Sequence, residues 1–236
     1  MSGCSPERFS DMHGVWNMKI GILGAGFLGR ALATVARRHG HEVMIANSRD
    51  PNTLISTAAA LGCATGTAQE AAKFGDVVVV SVPFGQIGHL PVAALDGKIV
   101  IDTCNHYPDR DGPSEALQNG VTTTSQMLAA ALPGARVVKA FNAILAKDLE
   151  TAGTAPGAPN RRALPLAADD QQARDVVSEL VDQFGFDPVD AGPLADSWRF
   201  ERAKPVYCIA HDRAAMVAGL AAARRDEELP HGSWRH

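Results

Sequence analysis

"MKIGILGAGFLGRALATVARRHGHEVMIANSRD" runs from residue 18 to residue 50, and its reading decides the fold. The run 18–23 lacks the polar alternation of a half-exposed strand, which suits a strand buried on both faces. Leu28, Ala31, Leu32, Val35 and Ala36 then recur at helical spacing, and Gly40 sits where a helix C-terminus favours glycine. A second apolar run, "EVMIA" (42–46), follows. Between the first strand and the helix, Gly24, Gly26 and Gly29 form G-x-G-x-x-G in the strand–turn–helix context that the pattern needs. Gly24 permits the tight turn, Gly26 lets a pyrophosphate approach the backbone, and Gly29 lets the helix pack closely on the strand. A diphosphate then rests on the N–H groups of Ala25, Gly26, Phe27 and Leu28, where the helix dipole favours negative charge.

The second strand ends in "NSRD" (47–50). An NAD site wants Asp or Glu at this tip, to accept hydrogen bonds from the adenosine ribose. Asn47, Ser48 and Arg49 stand there instead. A carboxylate would repel a 2′-phosphate, whereas a hydroxyl and a guanidinium offer it charge-assisted donors. The tip therefore reads as an NADP selector, with Asp50 left to cap the helix beginning near Pro51.

Outward from this unit the alternation continues. "VVVVSV" (77–82), "KIVID" (98–102) and "RVVKAF" (136–141) are further buried strands, and "AAALGC" and "AQEAAKFG" supply helical turns between. Repeated βαβ order implies right-handed crossovers and a doubly wound, mostly parallel α/β sheet. After residue 146 the texture changes to a Gly/Pro/Thr loop (151–162). A strand "ALPLAA", a helix over 169–185, a strand "FDPVDAG" and one C-terminal helix follow it. The expected organisation is a disordered leader over 1–17, a Rossmann domain over 18–150, and a small α/β extension over 151–236 that completes the sheet and an acceptor pocket. Met12 or Met18 is a candidate start.

The net charge of −4 lacks the basic excess of a nucleic-acid binder. No apolar run approaches the roughly 20 residues of a membrane span, and no secretory signal opens the chain. Cytoplasmic location is the expectation. Cys4, Cys63, Cys104 and Cys208 show no metal-ligand spacing, so no metal is expected and the thiols read as idle.

The chain resembles the family of NADPH-dependent reductases of the 8-hydroxy-5-deazaflavin coenzyme. The likeness rests on "IGILGAGFLGRALA", "NSR", "VVVVSVPF", "IDTCNHYPDRDG", "VKAFNAI" and "DPVDAGPLADSWRFE". It implies NADP lying over the strand ends, its phosphates on Gly24 to Leu28 and its 2′-phosphate on Ser48 and Arg49. It also places Ser81, Val82 and Pro83 on the ribose and nicotinamide side, with Asn105 and Ala146 near the cofactor. Asn142 and Ile144, in "FNAILA", would border the nicotinamide and the acceptor ring. Family members that reduce deazaflavin tend to carry His where this chain has Asn142. Tyr107, Trp198 and Arg199 either wall the acceptor pocket or have plainer roles, Trp198 in the core and Arg199 bridging to Glu201 or Asp196.

Hydride transfer between NADPH and a flavin-like ring needs two planar groups held about 3–3.5 Å apart, and no covalent intermediate. Asn142 can donate a hydrogen bond but cannot deliver a proton at neutral pH, so no catalytic acid or base is nominated. The implied partner is a small-molecule hydride acceptor, with a homodimer left open. The alternatives to a deazaflavin acceptor are a free flavin, a quinone or a small carbonyl, or a non-catalytic NADP-binding module. Hydroxyacid and imine dehydrogenases share the front half of such a chain, but add a long helical domain for which no room remains after residue 200.

Overall fold

A computed structural model of the chain describes residues 17–230 and residue 232. Residues 1–16 of the expected leader, with Cys4 and Met12, lie outside the described residues. The chain runs β1 (Lys19–Leu23), α1 (Phe27–Arg38), β2 (Glu42–Ala46), α2 (Ile55–Leu61), β3 (Ala64–Thr65), α3 (Ala68–Phe74) and β4 (Val77–Val80). There follow α4 (Val92–Leu95), β5 (Ile99–Asp102), the single turns α5 (Pro108–Asp111) and α6 (Glu115–Gln118), α7 (Thr124–Ala131) and β6 (Arg136–Lys139). The last part holds α8 (Ala146–Thr151), β7 (Ala163–Ala168), α9 (Gln171–Gln183), β8 (Asp187–Asp190) and α10 (Arg213–Ala222).

The eight strands form one sheet in the order β3-β2-β1-β4-β5-β6-β7-β8. Neighbours from β3 to β6 are parallel, β7 runs antiparallel to β6, and β8 is parallel to β7. Strand order reverses between β1 and β4. That is the switch point, where the first crossovers leave on opposite faces and open a crevice.

Burial on both faces explains the unbroken apolar runs. Val77 and Val79 join the core beneath α1 and α9, whereas Val78 and Val80 join the opposite core with Leu95, Leu128 and Leu132. A third, smaller core packs Ala163, Ala167 and Val189 of β7 and β8 against Phe200, Met216 and Leu220. Residues beyond 150 thus extend the same sheet. Asp50 caps the turn Pro51–Leu54, accepting from the Asn52 N–H at 2.7 Å. No helix among the described residues is long and apolar enough to cross a membrane.

Candidate functional site

Strand register brings the sequence-nominated segments to one edge. Leu23, the last residue of β1, pairs with Ala46 at the end of β2 and with Val80 at the end of β4. Val80 pairs in turn with Asp102, and Asp102 with Lys139. Five parallel strands therefore stop level with one another. Asn47–Arg49, Gly24–Gly26, Ser81–Pro83, Thr103–Asn105 and Ala140–Asn142 leave the sheet side by side. The Gly24 N–H donates to the Ala46 carbonyl (2.8 Å) and the Ser81 N–H to the Leu23 carbonyl (2.8 Å), which ties the glycine turn to both neighbours.

The three glycines of the turn do different work. Gly24 has φ +117°, and a Cβ there would lie 2.1 Å from the Ser81 carbonyl oxygen. A Cβ on Gly29 would lie 2.0 Å from the Gly24 carbonyl oxygen. Gly26 has an ordinary extended backbone, φ −71°, and nothing within 4 Å of where a Cβ would stand. The space beside Gly26 is thus open, and a side chain would occupy it. Helix α1 begins there with no capping side chain and no acidic residue in its first turn. Its first internal bond runs from the Arg30 N–H to the Gly26 carbonyl, so the N–H groups ahead of Arg30 have no helical acceptor. Phe27 is exposed beside them, and Leu28 is partly buried against the core. The arrangement suits a diphosphate.

At the tip of β2, the Asn47 side chain accepts from the Arg49 N–H (2.9 Å) and donates to Thr53 Oγ1 (3.1 Å). This fixes the turn and leaves Ser48 and Arg49 exposed. Among the described residues, no hydrogen bond or ion pair engages the Arg49 guanidinium. A free cation, a hydroxyl and open backbone donors one strand away fit the two phosphate positions of NADP.

Across the switch point lies the other half of the rim. Asn142 and Asn105 are buried and face each other: Asn142 Nδ2 donates to Asn105 Oδ1 (3.1 Å) and to the Phe200 carbonyl (3.0 Å), while Asn105 Nδ2 donates to the Asn142 carbonyl (3.0 Å). Both amide hydrogens of Asn142 are therefore spent within the protein. A direct bond from Asn142 to a ligand carbonyl would require giving one up. Ile144, expected to border the acceptor, is packed in the core beside Phe141 and Leu149. Ala146 opens α8 and is partly buried.

The loop 105–112 is held against the β4 exit by Asp111. Its carboxylate accepts from the Gly85 N–H (3.2 Å), the Tyr107 N–H (2.9 Å) and Arg110 (2.8 and 2.9 Å). Burial raises the Asp111 pKa, but the Arg110 guanidinium and the two N–H donors outweigh it and hold the carboxyl at about 2. Tyr107 reaches across to Tyr207, hydroxyl to hydroxyl at 2.7 Å. Trp198 lines a cavity of about 300 Å³ with His106, Glu201, Arg202 and Arg225, and the Arg225 guanidinium lies 5.1 Å from its ring centre. Arg199 pairs with Asp196 at 3.2 Å and is not among the cavity's lining residues.

Cys104 is buried, its thiol donating to the Val82 carbonyl (3.3 Å). Burial, with Asp102 nearby, pushes its pKa far up, which leaves no thiolate for nucleophilic or redox chemistry at neutral pH. No cluster of three or more His, Cys, Asp or Glu that could hold a metal occurs among the described residues.

The site can be set beside known proteins. The NADP oxidoreductase, coenzyme F420-dependent, family matches residues 19–106, the segment that carries the glycine turn, the β2 tip and the β4 and β5 exits. A hypothetical protein of Sinorhizobium meliloti, solved by crystallography, is 30% identical, with a TM-score of 0.70 over 84% of this chain and 96% of its own. The chain belongs to the coenzyme F420-dependent NADP oxidoreductase family. Its fold is shared by an Arthrobacter structure described as an F420-dependent NADP-reductase, 24% identical with a TM-score of 0.65 over 77% of this chain and 87% of that one. Metalloreductase STEAP3 of Rattus norvegicus is 35% identical over 185 residues, which are 78% of this chain. The chain spans 36% of that relative's length. This is a family of NADP-dependent oxidoreductases, and the segment its model matches, 19–106, is the one that holds the glycine turn in this chain.

Two charges at the rim carry no motif that singles them out in the sequence. Asp102 and Lys139 end the apolar runs "IVID" and "RVVK", and both are fully buried and paired at 3.2 Å. The signal was present: a single charge closing a strand that is buried on both faces has to find a partner.

Proposed function

We propose that this protein is an NADPH-dependent oxidoreductase that transfers a hydride between NADP(H) and a planar deazaflavin-type acceptor. The observation that carries the reading is the unpaired Arg49 guanidinium at the tip of β2, beside a glycine turn whose central Cβ position is open. Those two features together match a 2′-phosphate and a pyrophosphate one strand apart.

When bound, the nicotinamide supplies the hydride. The chain's own residues bind, orient and exclude water. The N–H groups at the start of α1 take the diphosphate, and Ser48 and Arg49 select the phosphorylated ribose. Across the switch point, Pro83, Asn105 and Asn142 border the half of the crevice left for the nicotinamide. The mutual bonds of Asn105 and Asn142 make that border rigid, which favours a fixed approach over a proton-delivery role. Tyr107 and the Trp198 cavity lie on the same side, and are the proposed place for the acceptor.

Family membership supports the deazaflavin acceptor. The likeness to a metalloreductase makes a ferric chelate a second arm to include. The test follows loss of reduced-nicotinamide absorbance with a panel holding the deazaflavin coenzyme, free flavin, a quinone, a small carbonyl and a ferric chelate. Turnover fastest with the deazaflavin is the expected result. Turnover confined to another acceptor moves the substrate assignment, and NADPH binding without turnover on any of them leaves a binding module.

A further inference from the structure

The ammonium of Lys139 is a hub. It donates to Asp102 Oδ2 (3.2 Å), to Thr124 Oγ1 (2.9 Å) and to the Cys104 carbonyl. Asp102 is equally occupied: Oδ2 also accepts from Ser125 Oγ (2.7 Å), and Oδ1 accepts from the Cys104 N–H (2.8 Å). One ion pair therefore grips both the N–H and the C=O of Cys104. The residue after Cys104 is Asn105.

These contacts close into a ring. From Lys139 it passes through Thr124 Oγ1, which donates to Glu201 Oε1 (2.6 Å). Glu201 follows Phe200, whose carbonyl holds Asn142; Asn142 holds Asn105; and Asn105 returns through Cys104 to Lys139. Between Lys139 and Asn142 the backbone makes an unusual turn, with Phe141 in the left-handed region at φ +59°. A bulky residue rarely adopts that conformation without surrounding contacts to impose it. The exits of β5 and β6, the start of α7 and the 200–201 segment are thereby locked to one another at the rim.

A buried ion pair adds little net stability, because desolvation consumes most of its attraction, and apolar residues of like volume often serve as well. Its distinctive contribution is geometry. We infer that Lys139 and Asp102 are positioning residues that act through the Asn105–Asn142 pair to shape the nicotinamide half of the cofactor site. This rests on the NADP reading above. It goes further in assigning a role in cofactor geometry to two side chains that have no exposed surface.

The test compares two ligands, NADPH and 2′-phospho-ADP-ribose, the same molecule without its nicotinamide. Affinities for both are measured by calorimetry on the whole chain, alongside thermal unfolding. The charge-free pair Asp102→Asn with Lys139→Met avoids leaving one buried charge alone, and Thr124→Val breaks the same ring without touching either charge. The wild-type chain should bind NADPH more tightly than the fragment. In the double variant that advantage should shrink by about tenfold, the equivalent of about one lost hydrogen bond, while fragment affinity stays within about twofold. Thr124→Val should shift the ratio in the same direction by less, and decides the matter if the double variant does not fold. Equal weakening of both ligands, or no change in either, overturns the inference, as does a wild-type chain with no preference for NADPH. A wild-type chain that binds neither ligand overturns the NADP reading itself.

Discussion

Gly26→Val and Gly29→Ala should separate binding from folding at positions only three residues apart. At Gly26 the backbone is already in the region any residue adopts, and no atom lies within 4 Å of the new Cβ. The cost to the fold is the poorer N-cap, about 1 kcal/mol at most. The branched side chain, however, occupies the open space against the first N–H groups of α1. Loss of two charge-assisted bonds there, at about 1.5–3 kcal/mol each, weakens NADPH by more than about a hundredfold. At Gly29 the balance reverses, since the added methyl would stand 2.0 Å from the Gly24 carbonyl oxygen, where ordinary contact begins near 3.4 Å. Forcing α1 away from the turn should cost about 1–3 kcal/mol, or roughly 2 to 12 °C in Tm for a domain of this size. Calorimetric titration with NADPH and thermal unfolding of both variants provide the readout. Micromolar NADPH affinity retained by folded Gly26→Val would refute the reasoning, as would a Tm fall in Gly26→Val larger than in Gly29→Ala.

Arg49→Ala should weaken NADPH by about 1.5–3 kcal/mol and leave NADH nearly unchanged, because among the described residues the guanidinium has no partner to orphan; equal loss for both cofactors in parallel titrations rules out contact with the 2′-phosphate. Replacing Cys63, Cys104 and Cys208 by small residues should preserve NADPH affinity and turnover with at most a stability loss, and turnover lost in a folded triple variant would expose a thiol role. His41 is buried, its Nδ1 accepting from the Met18 N–H (3.1 Å) and its Nε2 meeting Gln183 Oε1 (3.1 Å). Burial lowers its pKa below the ordinary 6.5, against the raising effect of the Gln183 bond. The unfolded chain then takes up a proton that the folded chain refuses. Stability should thus be complete above about pH 6.5 and fall as the pH drops below it. Urea midpoints between about pH 7.5 and pH 5.5 should show that slope, and a His41→Gln variant with the same slope would assign it elsewhere.

The doubly wound core was legible from residues 18–50 and the apolar runs after them, because period and turn chemistry are local. A strand buried on both faces has to be apolar wherever its side chains find no polar partner, and a phosphate turn has to carry glycine where a Cβ would strike a backbone carbonyl. Gly24, Gly26 and Gly29 could be named from spacing alone. Their separate roles were readable from the pattern too, and the folded backbone supplies the distances: a Cβ on Gly24 or Gly29 would strike a carbonyl oxygen, whereas nothing lies within 4 Å of one on Gly26. The sequence places Arg49 at the β2 tip, but only the folded turn shows where its neighbours direct their own hydrogen bonds, Asn47 to Thr53 and the Arg49 N–H, and Asp50 to the Asn52 N–H.

What lay beyond the sequence is what long-range register decides. Asn142 reads as a donor to a ligand until Asn105 and Phe200, 37 and 58 positions away, take both of its hydrogens. Ile144 reads as pocket lining until Phe141, in its left-handed turn, sends the chain back into the core. Asp102 and Lys139 are two isolated charges in the sequence. They become one ion pair because β5 and β6 pair in the register that sets those two residues side by side, a coincidence of strand lengths that no local pattern encodes.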